Sequence, residues 1–359
     1  MTDTRASTGA PRPTPPVTVI VTVLRDPRVA RTLESLLLQD LLPAEILVDD
    51  GEPGGEVQRI TAGFTERDSR VRHLAAPGTI PESRNAALKE ARTDLVAFLD
   101  ADEVAPPSWL RTLLEPFENP QVGFVGGPTP GIPESLQSIG ARYYDGYLRR
   151  FYDRVARHRP SSLPMGNSAW RMAVFRQVGW LDTTLFPFAA SEDQEIALRA
   201  LDAGWQGVYL SDAKVLHDFS DLSTAVFLRK QARYAEGGFV VWRRRKATYE
   251  ASLPRLLPYT VPPAVAILGA ILLVLSATRI WGFYLMAAAA ATLALIALLL
   301  TVQGVHEDSR YPGLRYRALE IPRRWATLVG AFRGWVHYGW KGTGPGPRTP
   351  SKKARPSKR

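Results

Sequence analysis

Apolar and polar positions follow two rhythms along the first hundred residues. Val17-Thr-Val-Ile-Val-Thr-Val-Leu24 is an unbroken, β-branched run that reads as a strand. Val29, Leu33, Leu36 and Leu37 then recur at helical spacing, and Ala44-Glu-Ile-Leu-Val48 forms a second short apolar run. Val71-Arg-His-Leu-Ala75 predicts a third strand, Pro81 to Ala91 a helix with proline at its start, and Leu95-Val-Ala-Phe-Leu99 a fully buried strand. Such alternation predicts an α/β fold with a mostly parallel sheet and helices on both faces. In that architecture ligands gather just beyond the carboxyl ends of the strands.

A different pattern follows. Pro258 to Thr278 is 21 residues without a charge and Ile280 to Val305 another 26, with Arg279 alone between them. About 20 apolar residues cross a hydrocarbon core, so the pattern predicts a two-helix transmembrane hairpin over 256–305. Arg243, Arg244, Arg245 and Lys246 precede it and Arg310, Arg315 and Arg317 follow it, which places both flanks on the cytoplasmic side. Residues 306–340, with Trp325, Trp335 and Trp340 among basic residues, read as an amphipathic juxtamembrane segment. Residues 1–16 are proline-rich and polar without the apolar stretch of a secretion signal. They read as a disordered tail before a cytoplasmic domain over 17–245.

Charge refines this organisation. The chain carries 45 Lys and Arg against 35 Asp and Glu, a formal charge of +10. Seven of those cations, and no acid, lie in Lys341 to Arg359, a basic disordered tail suited to anionic membrane lipids. Without it the balance is nearly even, so nucleic acid is not an expected partner. With no cysteine at all, disulfides, cysteine-held zinc and thiol catalysis are excluded.

Two acidic clusters follow strands: Asp49-Asp50-Gly51, and Asp100-Ala101-Asp102-Glu103. Paired carboxylates at matched strand ends suit a hard divalent cation, which in turn neutralises a diphosphate. The same residues also fit an Asp-Gly turn and, for Asp102, a cap for a helix near Pro107. No glycine fingerprint follows the first strand, which disfavours a dinucleotide site. Ser191 and Gln194 have the spacing of a capping box, and Glu195 and Arg199 that of a helix-face ion pair. The crowd of tyrosines and arginines from Arg142 to Arg154 fits either a membrane-facing acceptor site or an amphipathic helix packed on the sheet.

Taken in order, Val19-Ile-Val-Thr-Val-Leu24, Ile46-Leu-Val-Asp-Asp-Gly51, Ser83-Arg-Asn-Ala86, Phe98-Leu-Asp-Ala-Asp102, Ser191-Glu-Asp-Gln-Glu195 and His217 resemble the GT-A fold of family 2 glycosyltransferases. The resemblance covers roughly Pro16 to Arg245. It implies an inverting hexosyltransferase, multi-pass in the cell membrane with its catalytic domain cytoplasmic. Such an enzyme moves a sugar from a nucleotide-sugar donor to a lipid-linked or cell-envelope acceptor. It implies that Asp50 holds the nucleotide base, that Arg84 and Asn85 line the nucleotide pocket, and that Asp100 lies near the ribose and the metal. Asp102 would sit on Mn2+ or Mg2+ that bridges the donor diphosphate, with His217 as a further ligand or else a surface histidine beside Asp218. Asp193 would be the general base, with Glu192, Gly166 and Asn167 on the acceptor side. A polyprenyl-phosphate sugar transferase and a non-catalytic membrane scaffold on the same fold are the alternatives. The chain departs from the family at Val23, Leu24 and Arg25, where Thr-Tyr-Asn is usual, and at Gln231-Ala-Arg-Tyr234, which lacks the Q-x-x-R-W of processive synthases.

Overall fold

The computed structural model describes residues 16–157, 160, 163–188, 190–245, 271, 274, 281–288, 290–292, 294, 295, 316 and 318–338. Its strands are β1 (Val17–Val23), β2 (Glu45–Asp50), β3 (Val71–Ala75), β4 (Leu95–Asp100), β5 (Glu103–Val104), β6 (Val122–Gly126), β7 (Asn167–Arg171), β8 (Gln206–Tyr209) and β9 (Leu216–His217). Its helices are α1 (Val29–Leu37), α2 (Glu56–Arg67), α3 (Ile80–Glu90), α4 (Trp109–Leu114), α5 (Ile139–Arg157), α6 (Met172–Val178), α7 (Glu192–Asp202), α8 (Thr224–Arg245) and α9 (Glu320–Tyr338).

Seven strands form one sheet in the order β3-β2-β1-β4-β7-β6-β8, and β5 and β9 pair beside it. The first four strands are parallel, as their continuous apolar runs predict. β7 runs antiparallel to both its neighbours, so the sheet is mixed. Alternate residues of each strand feed opposite cores. Val19, Val21, Ile46 and Val48 pack with α1, α2 and α4, while Ile20, Leu47, Val96 and Phe98 pack with α3 and α7. Phe124 and Trp170 stack at 4.7 Å in the second core, each burial contributing about 1.5–3 kcal/mol.

A third cluster answers the question posed by the aromatic stretch of α5. Tyr143, Tyr144, Leu148 and Tyr152 turn inward against Phe219, Leu222 and Phe227, so the packing role holds, with α8 as the main partner and Tyr209 of the sheet stacked on Tyr152. One local expectation fails. Ser191 makes no side-chain cap and adopts φ 69°, whereas a capping box forms instead at Thr79 and Glu82. β9 is short, Lys214 and Val215 before it bonding to turn and loop carbonyls.

The hairpin expected over 256–305 falls mostly outside the described residues. Of it, 281–288 is helical with Trp281, Phe283 and Tyr284 exposed, and among the described residues no helix is long and apolar enough to cross a membrane. The tails expected over 1–16 and 341–359 also lie outside, Pro16 excepted. Of the segment expected over 306–340, Glu320–Tyr338 is helical as α9, which lies tightly on α8: a Cβ placed on Gly330 would sit 1.9 Å from the Ala232 carbonyl oxygen. Its other face carries Trp325, Val329, Phe332 and Val336, all exposed, at helical spacing.

Candidate active site

The register of the parallel strands sets Thr22 beside both Asp49 and Asp100 at their carboxyl ends. Above this row α3 begins, held by its capping box and by proline at its start, so that its second turn delivers Arg84 inward. The Arg84 guanidinium is buried and spreads three ways. It donates to Thr22 Oγ1 at 3.2 Å, to Asp100 Oδ1 at 2.8 Å and to Glu192 Oε1, at the start of α7, at 3.2 Å. One cation thus faces Asp49, Asp100, Glu192 and Asp193. Burial raises the proton affinity of three of these carboxyls. Burial pushes Asp49 up to about 8, and burial together with the Asp193 charge pushes Glu192 up to about 7. Asp193 is raised as well, chiefly by burial, although its Oδ1 accepts the Gln194 backbone N–H at 2.7 Å. A carboxylate of raised proton affinity at a helix start is the right kind of group to accept a proton from a hydroxyl.

Asp50 points to the opposite face of β2 and is fully enclosed. Its Oδ1 accepts the Glu52 backbone N–H at 2.9 Å, as an Asp-Gly turn requires, and its Oδ2 lies 3.1 Å from His73 Nε2. Asn85 parts from its neighbour Arg84: its amide exchanges both hydrogen bonds with the Leu181 backbone, at 2.9 and 3.0 Å. The sequence therefore puts Arg84 and Asn85 side by side, but the structure gives only Arg84 to the acidic row.

Beyond β4 the chain turns into β5, and the antiparallel pairing of Glu103 with His217 brings the imidazole between two carboxylates. His217 Nε2 lies 3.0 Å from Asp102 Oδ2, and Nδ1 lies 3.3 Å from Glu103 Oε1. Burial alone would lower the histidine, but Asp102 and Glu103 overcome it and push it up to about 10. Asp102, although buried, is held well below the usual carboxylate range by His217, Lys230 and Arg28. It caps no helix, since α4 starts at Trp109 after Ser108. His217 is no surface residue, and it meets Asp102 rather than Asp218.

Two carboxylates and an imidazole are donors that suit Mn2+ or Mg2+. Asp102 and His217 are adjacent, which fits such an ion, while Asp100 is engaged by Arg84; among the described residues no three acids and histidines converge as a ready cage. Coordination by His217 needs its neutral form, so ion and proton compete for the same nitrogen.

Gly166 belongs to this site by necessity. A Cβ there would lie 2.4 Å from Asp100 Oδ2, so only glycine lets the loop before β7 close over that carboxylate. Asn167 does not share the site: fully buried, it accepts from Trp109 Nε1 at 2.8 Å and donates to the Pro128 and Ala213 carbonyls. On the far side of Asp102 opens a cavity of about 560 Å³ that reaches His217 and Lys230. Sequence reasoning missed Arg28, His73, Glu103 and Lys230. Only Glu103, inside the acidic cluster, carried a local signal.

Comparison with known proteins fits this geometry. Residues 18–179 match the model of "Glycosyl transferase family 2". The chain is 35% identical over 213 residues to the glucosyl-dolichyl phosphate glucuronosyltransferase of Haloferax volcanii, covering 54% of this chain and 66% of that one. It is 31% identical over 207 residues to the uncharacterized glycosyltransferase YwdF of Bacillus subtilis, covering 56% and 74%. Three other curated relatives are matched over only 17% to 37% of their own length. Among solved structures, a mannosyltransferase from Pyrobaculum calidifontis in complex with GDP-Man and Mn2+ superposes with a TM-score of 0.60 at 16% identity, over 91% of this chain and 88% of that one.

Proposed function

This chain belongs to glycosyltransferase family 2, and from that premise we propose that it transfers a sugar from a nucleoside-diphosphate sugar to a lipid-linked or cell-envelope acceptor at the cytoplasmic face of a membrane. The observation that carries the reading is the convergence of Asp100, Glu192 and Asp193 on one buried arginine, with Asp102 and His217 next in line. In this reading Asp193 accepts the proton of the attacking hydroxyl, with the Arg84 cation facing it and Glu192 on the acceptor side. Gly166 lies against Asp100 on the acceptor side, and Asp50 lies where β2 ends, toward the nucleotide. Asp102 and His217, with Asp100, would hold a divalent ion, which supplies charge neutralisation for the departing nucleoside diphosphate. The solved Pyrobaculum relative holds GDP-Man and Mn2+, and the Haloferax relative is named for a dolichyl phosphate acceptor; both support a metal-aided donor and a lipid acceptor here.

The experiment is turnover of a panel of UDP-, GDP- and dTDP-sugars in detergent with Mn2+ or Mg2+, comparing the native chain with Asp102→Asn and Asp193→Asn. One donor should turn over, and Asp193→Asn should lower its rate by about 10²–10⁴-fold. A native chain that neither binds nor cleaves any donor with metal present would sink the proposal and favour a scaffold.

A further inference from the structure

The cavity beside Asp102 is lined by acids and by cations, and its three arginines are not the partners of those acids. Asp102 is held by His217 and Arg28, Asp218 by Arg28 and Arg31, Asp221 by Arg28, and Glu236 by His337 at 2.7 Å. Arg229 and Arg233, one turn apart on α8, and Arg333, brought in by α9, line the same space. Among the described residues no acid pairs with any of these three arginines. Lys230 lies between them, its ammonium 5.0 Å over the Tyr144 ring and 5.9 Å over that of Tyr234. Three arginines that converge on a concave space with no ion-pair partner among the described residues, beside a lysine that faces Asp102, describe the mould of an anion.

A second observation says what the anion is attached to. Arg333 flanks the exposed apolar stripe of Trp325, Val329, Phe332 and Val336 on α9, so the rim of the cationic cavity runs directly into an apolar track. A nucleotide has no use for such a track. An amphiphile with a phosphoryl head and a hydrocarbon tail matches both halves, the head among the arginines and the tail along the helix.

Resting on the glycosyl-transfer reading above, we propose that Arg229, Lys230, Arg233 and Arg333 form an anion subsite for the acceptor, which is a lipid bearing a phosphate or diphosphate. The subsite fixes the acceptor's head beside Asp102, on the side of the cavity away from Arg84. Its role is binding and orientation of the acceptor.

The test uses the full chain in detergent with farnesyl monophosphate, farnesol, and UDP or GDP with Mn2+ as probes, followed by equilibrium binding. The native chain should bind farnesyl monophosphate and discriminate strongly against farnesol. Arg333→Gln and the double variant Arg229→Gln/Arg233→Gln should each weaken farnesyl monophosphate by about tenfold or more, leave the nucleoside diphosphate unaffected, and keep the native melting midpoint. Equal affinity for farnesol, or unchanged affinity in the variants, overturns the subsite. Loss of nucleoside diphosphate binding in the variants overturns it too, by assigning the cations to the donor. Each of these outcomes leaves sugar turnover by the native chain, and hence the glycosyl-transfer reading, intact; a native chain that binds no nucleotide sugar fails that reading first.

Discussion

Arg84 answers to more acids than one guanidinium can neutralise, and the consequences are measurable residue by residue. Replacing it with glutamine strands buried Glu192 and leaves half-buried Asp100 without its partner, so Arg84→Gln should cost about 3 kcal/mol in urea unfolding. Arg84→Lys should rescue little of that loss, because a single ammonium cannot span Thr22, Asp100 and Glu192 at once. Asp49 gives the same layer a pH signature. Burial lifts its carboxyl from 3.8 to about 8, so across that span the folded chain keeps a proton that the unfolded chain has released. Stability contributed through this group therefore falls as pH rises over the window. Asp49→Asn removes that slope: relative to the native chain, the variant should gain stability between about pH 5 and about pH 8. Parallel unfolding midpoints for the two chains across that range would show that Asp49 is ionised in the fold.

At the scale of elements, two glycines of helices make opposite forecasts. Gly330 is where α9 touches α8, and any Cβ there meets the Ala232 carbonyl and the Ala235 side chain. Gly330→Ala must push the helices apart, at a cost of about 1–3 kcal/mol in thermal or urea unfolding. Gly63, inside α2, has nothing within 4 Å of its missing Cβ, so Gly63→Ala should stabilise by about 0.5–1 kcal/mol. The elements most legible in the sequence were those whose signal is local. β1, β3 and β4 stand within a residue of their apolar runs, and α1 and α3 begin where periodicity and proline put them. β7 was not legible, because Asn167-Ser-Ala-Trp-Arg171 is a polar segment that becomes a strand only by lying between β4 and β6. The site divides in the same way. Asp100, Asp102 and Asp193 could be picked out because acids crowd strand ends and helix starts. Asn85 and Asn167 could not be sorted from them, since their bonds to Leu181 and to Trp109 depend on folds of the chain 96 and 58 residues away. The partnership of Glu103 and Lys230 with the His217 region is likewise a product of tertiary packing, without a spacing to betray it.

For the molecule as a whole, α9 has an inner face committed to α8 and an outer face of exposed aromatic and aliphatic side chains, with Phe332 60% and Trp335 47% exposed. The sequence adds seven cations after Trp340. Sedimentation with anionic vesicles should capture the chain, and Phe332→Ser/Trp335→Ser should weaken capture while leaving the melting midpoint unchanged. Removing Lys341 to Arg359 should weaken capture differently, by an amount that shrinks as salt is raised, on the order of 1 kcal/mol per cation at low ionic strength. Equal capture of all these chains by neutral vesicles would refute the electrostatic part.

The strand order has one further consequence, for the time course of synthesis. β3, β2, β1 and β4 lie side by side and are complete by Asp100, whereas β7, their link to β6 and β8, ends at Arg171. The growing chain can thus finish a four-stranded nucleus with α1 to α3 while more than half of it is still untranslated. During that interval the free margin of β4 is a row of unpaired backbone groups awaiting β7, and the ribosome itself, by setting the delay, decides how long that margin stays open.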